Sequence, residues 1–314
     1  MKKLISVVIP MYYEEENVFL CYDRLTKVLE PYSYELIFVN DGSCDKTFSY
    51  LEELSVKDEK VKVISFSRNF GHQMAVSAGI SYAKGDAVVL IDADLQDPPE
   101  VILSMIEKWE EGYDVVYGKR KKREGETIFK KVTAKLFYRF LDYVSDIKIP
   151  KDTGDFRLMN RPVVEALKQM PENHRFIRGM VSWVGFRQTC VEYVRQARVS
   201  GTTKYPLKKM MSFAADAIIG FSTKPLKMIT NIGLLTVLVG FALLIYTIIT
   251  KIMGLTTAGW ASLMVTISFF SGVQLICMGI MGEYLARIYD EAKGRPHYII
   301  AKTINIDKND DNCS

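Results

Sequence analysis

Two uncharged apolar stretches near the C-terminus restrict the architectures open to this chain more than any other feature. Residues Met228 to Thr250 carry no charged side chain, and neither do Ile252 to Gly282. A membrane-crossing helix needs roughly 20 mainly apolar residues, so each stretch is long enough to cross once. Between them lie only Lys251 and the short polar run GLTTAG at 254–259. A buried helical hairpin in a soluble core is the plainer alternative, but stretches this long and uncharged are outside the range of ordinary core helices. Lys208, Lys209, Lys224 and Lys227 precede the pair, and Arg287, Lys293 and Arg295 follow it. The excess of basic residues on the outer flanks predicts a hairpin with both chain termini in the cytoplasm.

The rest of the chain reads differently. Over the first 120 residues, short Val- and Ile-rich runs (LISVVIP, YELIFVN, VKVISFS, AVVLIDA and DVVYGK) alternate with segments of helical spacing that begin near Glu15, Asp45, His72 and Pro99. Strands alternating with helices predict an α/β domain with a mostly parallel sheet covered on both faces. Ligands of such sheets bind beyond the carboxyl ends of the strands, where VNDGS (39–43) and IDADLQD (91–97) fall. The lysines and apolar run at the N-terminus are read as the first strand, since the run is short for a signal peptide and ends at Pro10 without a small-residue cleavage site. Five cysteines, an odd number with no CxxC pair, argue against a disulfide framework and for a reducing compartment. A net charge of +4 does not point to nucleic acid.

Two further segments, TIFKKVTAKLFYRFLDYVS (127–145) and YPLKKMMSFAADAIIGF (205–221), interleave basic residues with a broad apolar stripe. Each can be a core-packing helix with a solvated face. Beside a hairpin of this kind, amphipathic helices at an anionic membrane surface are the better reading. The cluster KRKKR (119–123) follows the fifth strand and would attract phosphate or anionic headgroups rather than form an idle solvated loop. The final NIDKNDDNCS is polar and read as a frayed tail. The chain therefore divides into an α/β core (1–125), a region with amphipathic juxtamembrane helices (126–227), two transmembrane helices (228–282) and a cytoplasmic C-terminal tail (283–314).

The chemistry concentrates in DADLQD. On an extended strand Asp92 and Asp94 point to one side. At about 4 Å two carboxylates repel by about 4 kcal/mol at an effective dielectric of 20, a penalty that a divalent cation removes. Oxygen donors suit Mg2+ or Mn2+, and Gln96 adds a third donor on the same side. An acidic turn in water is the bland alternative. Asp97, of opposite parity and followed by Pro98 and Pro99, is expected to cap the next helix. The three histidines lack metal-ligand spacing; His72 could line the site without being catalytic.

The chain resembles the family 2 glycosyltransferases, specifically the polyprenyl-phosphate glycosyltransferases related to dolichol-phosphate mannose synthase. The resemblance rests on VIPMYYEEEN (8–17), VNDGSCDKT (39–47), SRNFGHQMAVSAG (67–79), GDAVVLIDADLQDPPE (85–100), TGDFRLMNR (153–161), RVSGTTKYPLKK (198–209) and GEYLARIYDEAKGRPHY (282–298), and spans nearly the whole chain. It implies a GT-A, Rossmann-like nucleotide-sugar-binding fold with a C-terminal two-helix transmembrane hairpin. It implies Pro10, Tyr12, Glu14, Asp41 and Asp92 around the nucleoside, with Asp94, Gln96 and Asp92 holding Mg2+ or Mn2+. It implies Asp155 as catalytic base, and Arg120, Arg123, Arg198 and Lys204 as phosphate-binding residues for donor or acceptor. Chemistry leaves a second role open for Asp155. A phosphate monoester, with a second pKa of about 6, is already mostly dianionic at neutral pH, so the carboxylate could instead orient the acceptor or stabilise positive charge on the sugar. Tyr13, where the family commonly has Asn, and TTKY at 202–205, where it commonly has Glu-Ser-Lys-Tyr, depart from the pattern without removing a charged or metal-binding group.

The activity implied is inverting, metal-dependent transfer of a sugar from a nucleotide-sugar donor, UDP-glucose first, to undecaprenyl phosphate at a bacterial inner membrane, for cell-envelope glycan modification. UDP-N-acetylglucosamine, GDP-mannose or an aminoarabinose donor would serve the same chemistry. The resemblance also implies a homo-oligomer, with a tetramer as one form, and a separate flippase downstream. A processive polysaccharide synthase ranks lower, because the chain has no QxxRW and only two candidate spans. A non-catalytic nucleotide-sugar-binding scaffold is opposed by the intact acidic set.

Overall fold

The β-branched runs form strands because continuous apolar sequence suits a sheet buried on both faces. The computed structural model describes residues 3–121, 153–195, 222, 224–254 and 259–306. Arg123, Arg198, Lys204, the 127–145 and 205–221 segments and most of the polar tail lie outside the described residues. The five strands expected from the N-terminal alternation are β1 (Leu4–Met11), β2 (Ser33–Asn40), β3 (Val61–Phe66), β4 (Ala87–Leu90) and β5 (Val115–Arg120). Between them run α1 (Val18–Leu29), α2 (Thr47–Lys57), α3 (His72–Tyr82) and α4 (Val101–Glu110). β6 (Thr153–Asn160), α5 (Arg161–Lys168), α6 (Ile177–Trp183) and β7 (Gln188–Tyr193) follow. Seven of the eight residues of β1 and of β2 are buried, as a sheet covered on both faces requires.

The strand order is β7-β5-β6-β4-β1-β2-β3-β8, where β8 is Ile300–Ile304. The β4-β1-β2-β3 half is parallel throughout. The sheet as a whole is mixed, because β6 pairs antiparallel with both β4 and β5, and β8 pairs antiparallel with β3. Alternating patterns report that strands exist and cannot report which neighbours they choose, so the insertion of β6 between β4 and β5 was not legible. It matters for the site. An antiparallel strand brings its amino end to the carboxyl ends of its neighbours, so Thr153, Gly154 and Asp155 stand beside the ends of β4 and β5.

The sequence pattern predicts no strand after the hairpin, yet β8 closes one edge of the sheet. Its neighbourhood is tied down by Ser67 N–H donating to Ile299 O (2.9 Å), by Asn305 Nδ2 donating to Ser55 O (2.8 Å) and Val61 O (2.9 Å), and by Tyr298 stacked on Phe66. The described residues outside this sheet domain form a second unit dominated by α7 (Lys224–Ile252) and α8 (Trp260–Ala292). At 1.5 Å per residue a helix of 29 residues is about 43 Å long, more than the hydrocarbon thickness of a bilayer. The most apolar windows of the two helices have mean hydropathies of 2.6 and 1.9. Large apolar side chains along them, such as Leu234, Tyr246 and Leu275, are exposed, as lipid-facing residues would be.

Candidate functional site

Every carboxyl end of the parallel half opens to the same side, and the acidic residues collect there. The ladder of β4 stops at Leu90, with Ile91 N–H still donating to Val8 O (3.2 Å). Asp92 to Asp97 therefore lie beyond the strand. The inside–outside alternation nevertheless persists: Ile91, Ala93, Leu95 and Asp97 are buried, while Asp92, Asp94 and Gln96 are partly exposed. Leu95 maintains this parity from a left-handed backbone (φ 52°), with its side chain fully buried, and Gln96 N–H donates to Asp94 Oδ1 (3.1 Å). Asp92, Asp94 and Gln96 thus share an outward row, as expected, although a turn rather than a strand sets it.

Asp155, at the amino end of β6, is contacted by side chains from both α3 and α6. Arg178 from α6 donates through Nε to Oδ1 (2.7 Å) and through Nη2 to Oδ2 (3.3 Å). Gln73 Nε2 donates to Oδ2 (3.4 Å), and His72 Nε2 lies 3.2 Å from the same oxygen. Burial would push the Asp155 carboxyl up. The Arg178 charge and the hydrogen bonds from His72 and Arg178 outweigh burial and hold it well below the usual carboxylate range. His72 also sits 3.7 Å from Asp92 Oδ1. Burial opposes its charge, but the bond to Asp155 and the negative charges of Asp92 and Asp155 raise it to about 9. Gln73 Oε1 accepts from Ile177 N–H (2.9 Å), which joins the start of α3 to the start of α6. His72, Gln73 and Arg178 thus surround a residue that sequence reasoning reached through its motif alone. Arg178 carries no sequence signal, being one basic residue among many.

The residues expected around the nucleoside line the ends of β1 and β2. Pro10 is buried within β1, whereas Tyr12 is exposed. Glu14 accepts from Asn17 Nδ2 (2.6 Å) and donates its backbone N–H to Thr47 Oγ1 (3.0 Å). Asp41, 2% exposed, accepts from Phe70 N–H (2.7 Å), Gly71 N–H (2.9 Å) and Asn69 Nδ2 (2.8 Å). Its carboxylate is occupied in shaping the 69–71 loop that leads into His72. Gly42, with φ 69°, permits that loop to close, since a Cβ there would lie 2.3 Å from the Arg68 carbonyl carbon.

Asp97 does not cap α4. That helix has no side-chain cap, and the carbonyls of Pro98 and Pro99 accept from Val101 and Ile102 instead. The Asp97 carboxylate, 1% exposed, accepts from Tyr193 Oη at the end of β7 (2.5 Å) and faces Arg120 Nη2 at the end of β5 (3.3 Å). Parity correctly turned this side chain inward. What waits there is a cation and a hydroxyl contributed by distant strands.

Residues 6–168 match glycosyl transferase family 2, and residues 224–288 match the GtrB C-terminal hairpin. The chain belongs to glycosyl transferase family 2. It is 53% identical over 305 residues to the uncharacterized glycosyltransferase YkcC of Bacillus subtilis, covering 96% of this chain and 94% of that one. It is 45% identical over 302 residues to a prophage-derived bactoprenol glucosyl transferase of Shigella flexneri, covering 95% and 98%. A bactoprenol glucosyl transferase of Shigella phage SfV is 46% identical over 299 residues, covering 94% and 97%.

The donor set of this family 2 glycosyltransferase suits a hard divalent cation. Asp92, Asp94 and Gln96 offer oxygens from one row, and such donors could hold an ion that keeps water and substrate oxygens as its other ligands. Among the described residues no group of three His, Cys, Asp or Glu is placed to hold a metal ion by itself. Although the Asp92 side chain keeps some exposure, desolvation by the groups packed around it, partly offset by His72 and reinforced by Asp155, Asp94 and Asp97, raises it to about 6. A bound cation would offset the repulsion among these carboxylates.

Proposed function

We propose that this glycosyltransferase moves a sugar from a nucleotide-sugar donor, with UDP-glucose as first choice, to the phosphate of a polyprenyl lipid at the inner face of a bacterial membrane. The observation that carries the reading is the juxtaposition made by β6: Asp155, ion-paired to Arg178, beside the outward row of Asp92, Asp94 and Gln96. The names of the bactoprenol glucosyl transferases support the acceptor class and the sugar.

In this reading Asp92, Asp94 and Gln96 would hold Mg2+ or Mn2+, which supplies charge neutralisation to the nucleoside diphosphate leaving group. Pro10, Tyr12, Glu14 and Asp41 shape the nucleoside side of the site, and Arg120 meets a phosphate. The lipid phosphate needs no base, because it is mostly dianionic at neutral pH with a second pKa of about 6. An aspartate kept ionised far below neutrality is in any case a poor proton acceptor. Asp155 therefore acts electrostatically, fixing Arg178 and His72 and facing positive charge that develops on the sugar ring. The pairing of β8 with β3 supports a shared compartment for both ends of the hairpin, since the chain leaves the sheet domain before α7 and rejoins it after α8. The basic flanks point to the cytoplasmic side.

The test is incubation of membranes containing the protein with labelled nucleotide sugars and polyprenyl phosphate. The expected product is lipid-extractable, arises from UDP-glucose and disappears with chelator. Water-soluble polymer, or no transfer from any donor, refutes the reading.

A further inference from the structure

Arg120 is held by more than its own strand. Its Nε–H donates to Tyr193 Oη (3.2 Å), and its Nη2 faces both oxygens of Asp97 (3.3 and 3.5 Å). Tyr193 in turn donates to Asp97 Oδ1 (2.5 Å). Burial and the neighbouring Asp97 charge raise the tyrosine hydroxyl far above neutrality, so it remains a donor. Its ring is anchored separately, edge-on to Phe156 at 5.8 Å. Gly154 packs against the same nitrogen, where a Cβ would come within 2.7 Å of Arg120 Nη2 and 3.7 Å of Asp97 Oδ2. Arg120 Nη2 is thus held where Asp97 meets the backbone immediately before Asp155. Arg195 adds a second cation, whose Nε lies 3.7 Å from Asp97 Oδ1 and is buried without a hydrogen-bond partner among the described residues. Two guanidinium groups share this one carboxylate, which cannot neutralise both.

We propose that Asp97 and Tyr193 are positioning residues that fix the Arg120 guanidinium against Gly154, so that its remaining N–H groups meet a substrate phosphate. The inference rests on the reading of Arg120 as a phosphate-binding residue. Asp97 is only 1% exposed, so it acts through Arg120. A lone arginine loses rotamer freedom when it grips a phosphate; one already clamped by a carboxylate and a phenol has lost it beforehand. Phosphate of the donor diphosphate and phosphate of the lipid share this chemistry, and kinetics separates them.

The experiment uses full-length protein in detergent or lipid, with KM measured for UDP-glucose at saturating polyprenyl phosphate and for the lipid at saturating UDP-glucose. Tyr193→Phe removes one hydroxyl and keeps the ring on Phe156; Asp97→Asn removes the charge and keeps the shape. Each is expected to raise one of the two KM values by about tenfold, as loss of a charge-assisted hydrogen bond implies, with kcat changed less. The KM that moves identifies the phosphate. In an Arg120→Ala background, Tyr193→Phe is expected to add nothing. If Asp97→Asn does not fold, Tyr193→Phe carries the test alone. Arg120→Ala leaving both KM values unchanged refutes the phosphate reading and the proposal with it. An effect of Arg120→Ala without one from Tyr193→Phe, or a full Tyr193→Phe effect in the Arg120→Ala background, refutes the positioning role alone.

Discussion

The pairing of Asp155 with Arg178 makes a prediction that separates two roles for the carboxylate. At about 3 Å and an effective dielectric of 20, the pair attracts by about 5 kcal/mol. The Arg178 side chain retains 29% of its exposure, so solvent reduces this, and about 3 kcal/mol, the low end for breaking a buried pair, is the appropriate scale. Asp155→Asn keeps the side-chain shape and leaves Arg178 without its counter-ion. For a domain of this size, about 3 kcal/mol corresponds to a melting temperature lowered by roughly 6–12 °C. If Asp155 works as half of an ion pair, its removal is expected to lower kcat by about 100-fold in the native background, the range for loss of one preorganised electrostatic group. In an Arg178→Gln background the same substitution is expected to cost about tenfold or less, because the unit is already broken. The assay is radiolabelled sugar transfer to polyprenyl phosphate for the four proteins of the cycle, with thermal unfolding alongside. A full 100-fold loss in both backgrounds would mean that Asp155 acts independently of Arg178, as a base does, and the electrostatic account would be wrong. That account fails equally if native kcat has an acid limb between pH 5 and 7 that vanishes in Asp155→Asn, since a carboxyl held well below its ordinary range cannot titrate there.

Other perturbations test the scaffold and the cation. Asp94→Ala is expected to raise the Mg2+ or Mn2+ concentration needed for half-maximal transfer, and chelation of the native enzyme to stop transfer until the ion is restored; metal-independent activity contradicts the assignment. A Cβ at Gly79 of α3 would lie 2.1 Å from Val8 Cγ1, so Gly79→Ala should cost about 1–3 kcal/mol by overpacking, with the loss of melting temperature partly restored by Val8→Ala. Glu35 is buried and accepts from Ser6 Oγ (2.5 Å), Lys62 Nζ and Lys84 N–H (2.7 Å). Burial raises its carboxyl, but these bonds together bring it below the ordinary value, so it stabilises the fold above an unfolded pKa of about 4.3 and this contribution is lost as pH falls through the lower folded value. Glu35→Gln should therefore flatten the acid side of a melting-temperature profile, and an unchanged acid side removes Glu35 from the account.

Much of the architecture was readable from local pattern. The five N-terminal strands and four helices followed from apolar runs and helical spacing, because burial on both faces of a sheet imposes its period directly on sequence. The uncharged stretches that became α7 and α8 were equally plain, since lipid tolerates few charges. The outward row of Asp92, Asp94 and Gln96 followed from parity, which survived although the strand ended at Leu90 and a left-handed Leu95 took over. At Asp97 local pattern runs out: parity gave the direction of its side chain, and turn chemistry suggested the wrong partner.

What sequence alone determined, then, were the elements, the hairpin and a row of oxygen donors, all properties of residues close together in the chain. Tertiary structure decided where β6 enters the sheet, and that placement sets Asp155 beside Asp92 and brings Arg178 and His72 to it. It decided that Asp97, Arg120 and Tyr193, from three separate segments, form one cluster, and that Ile300–Ile304 returns to the edge of the sheet. Strand pairing and long-range ion pairs depend on which surfaces meet after collapse. No local period records that choice, because many neighbours would satisfy the same apolar face while only one brings these charges together.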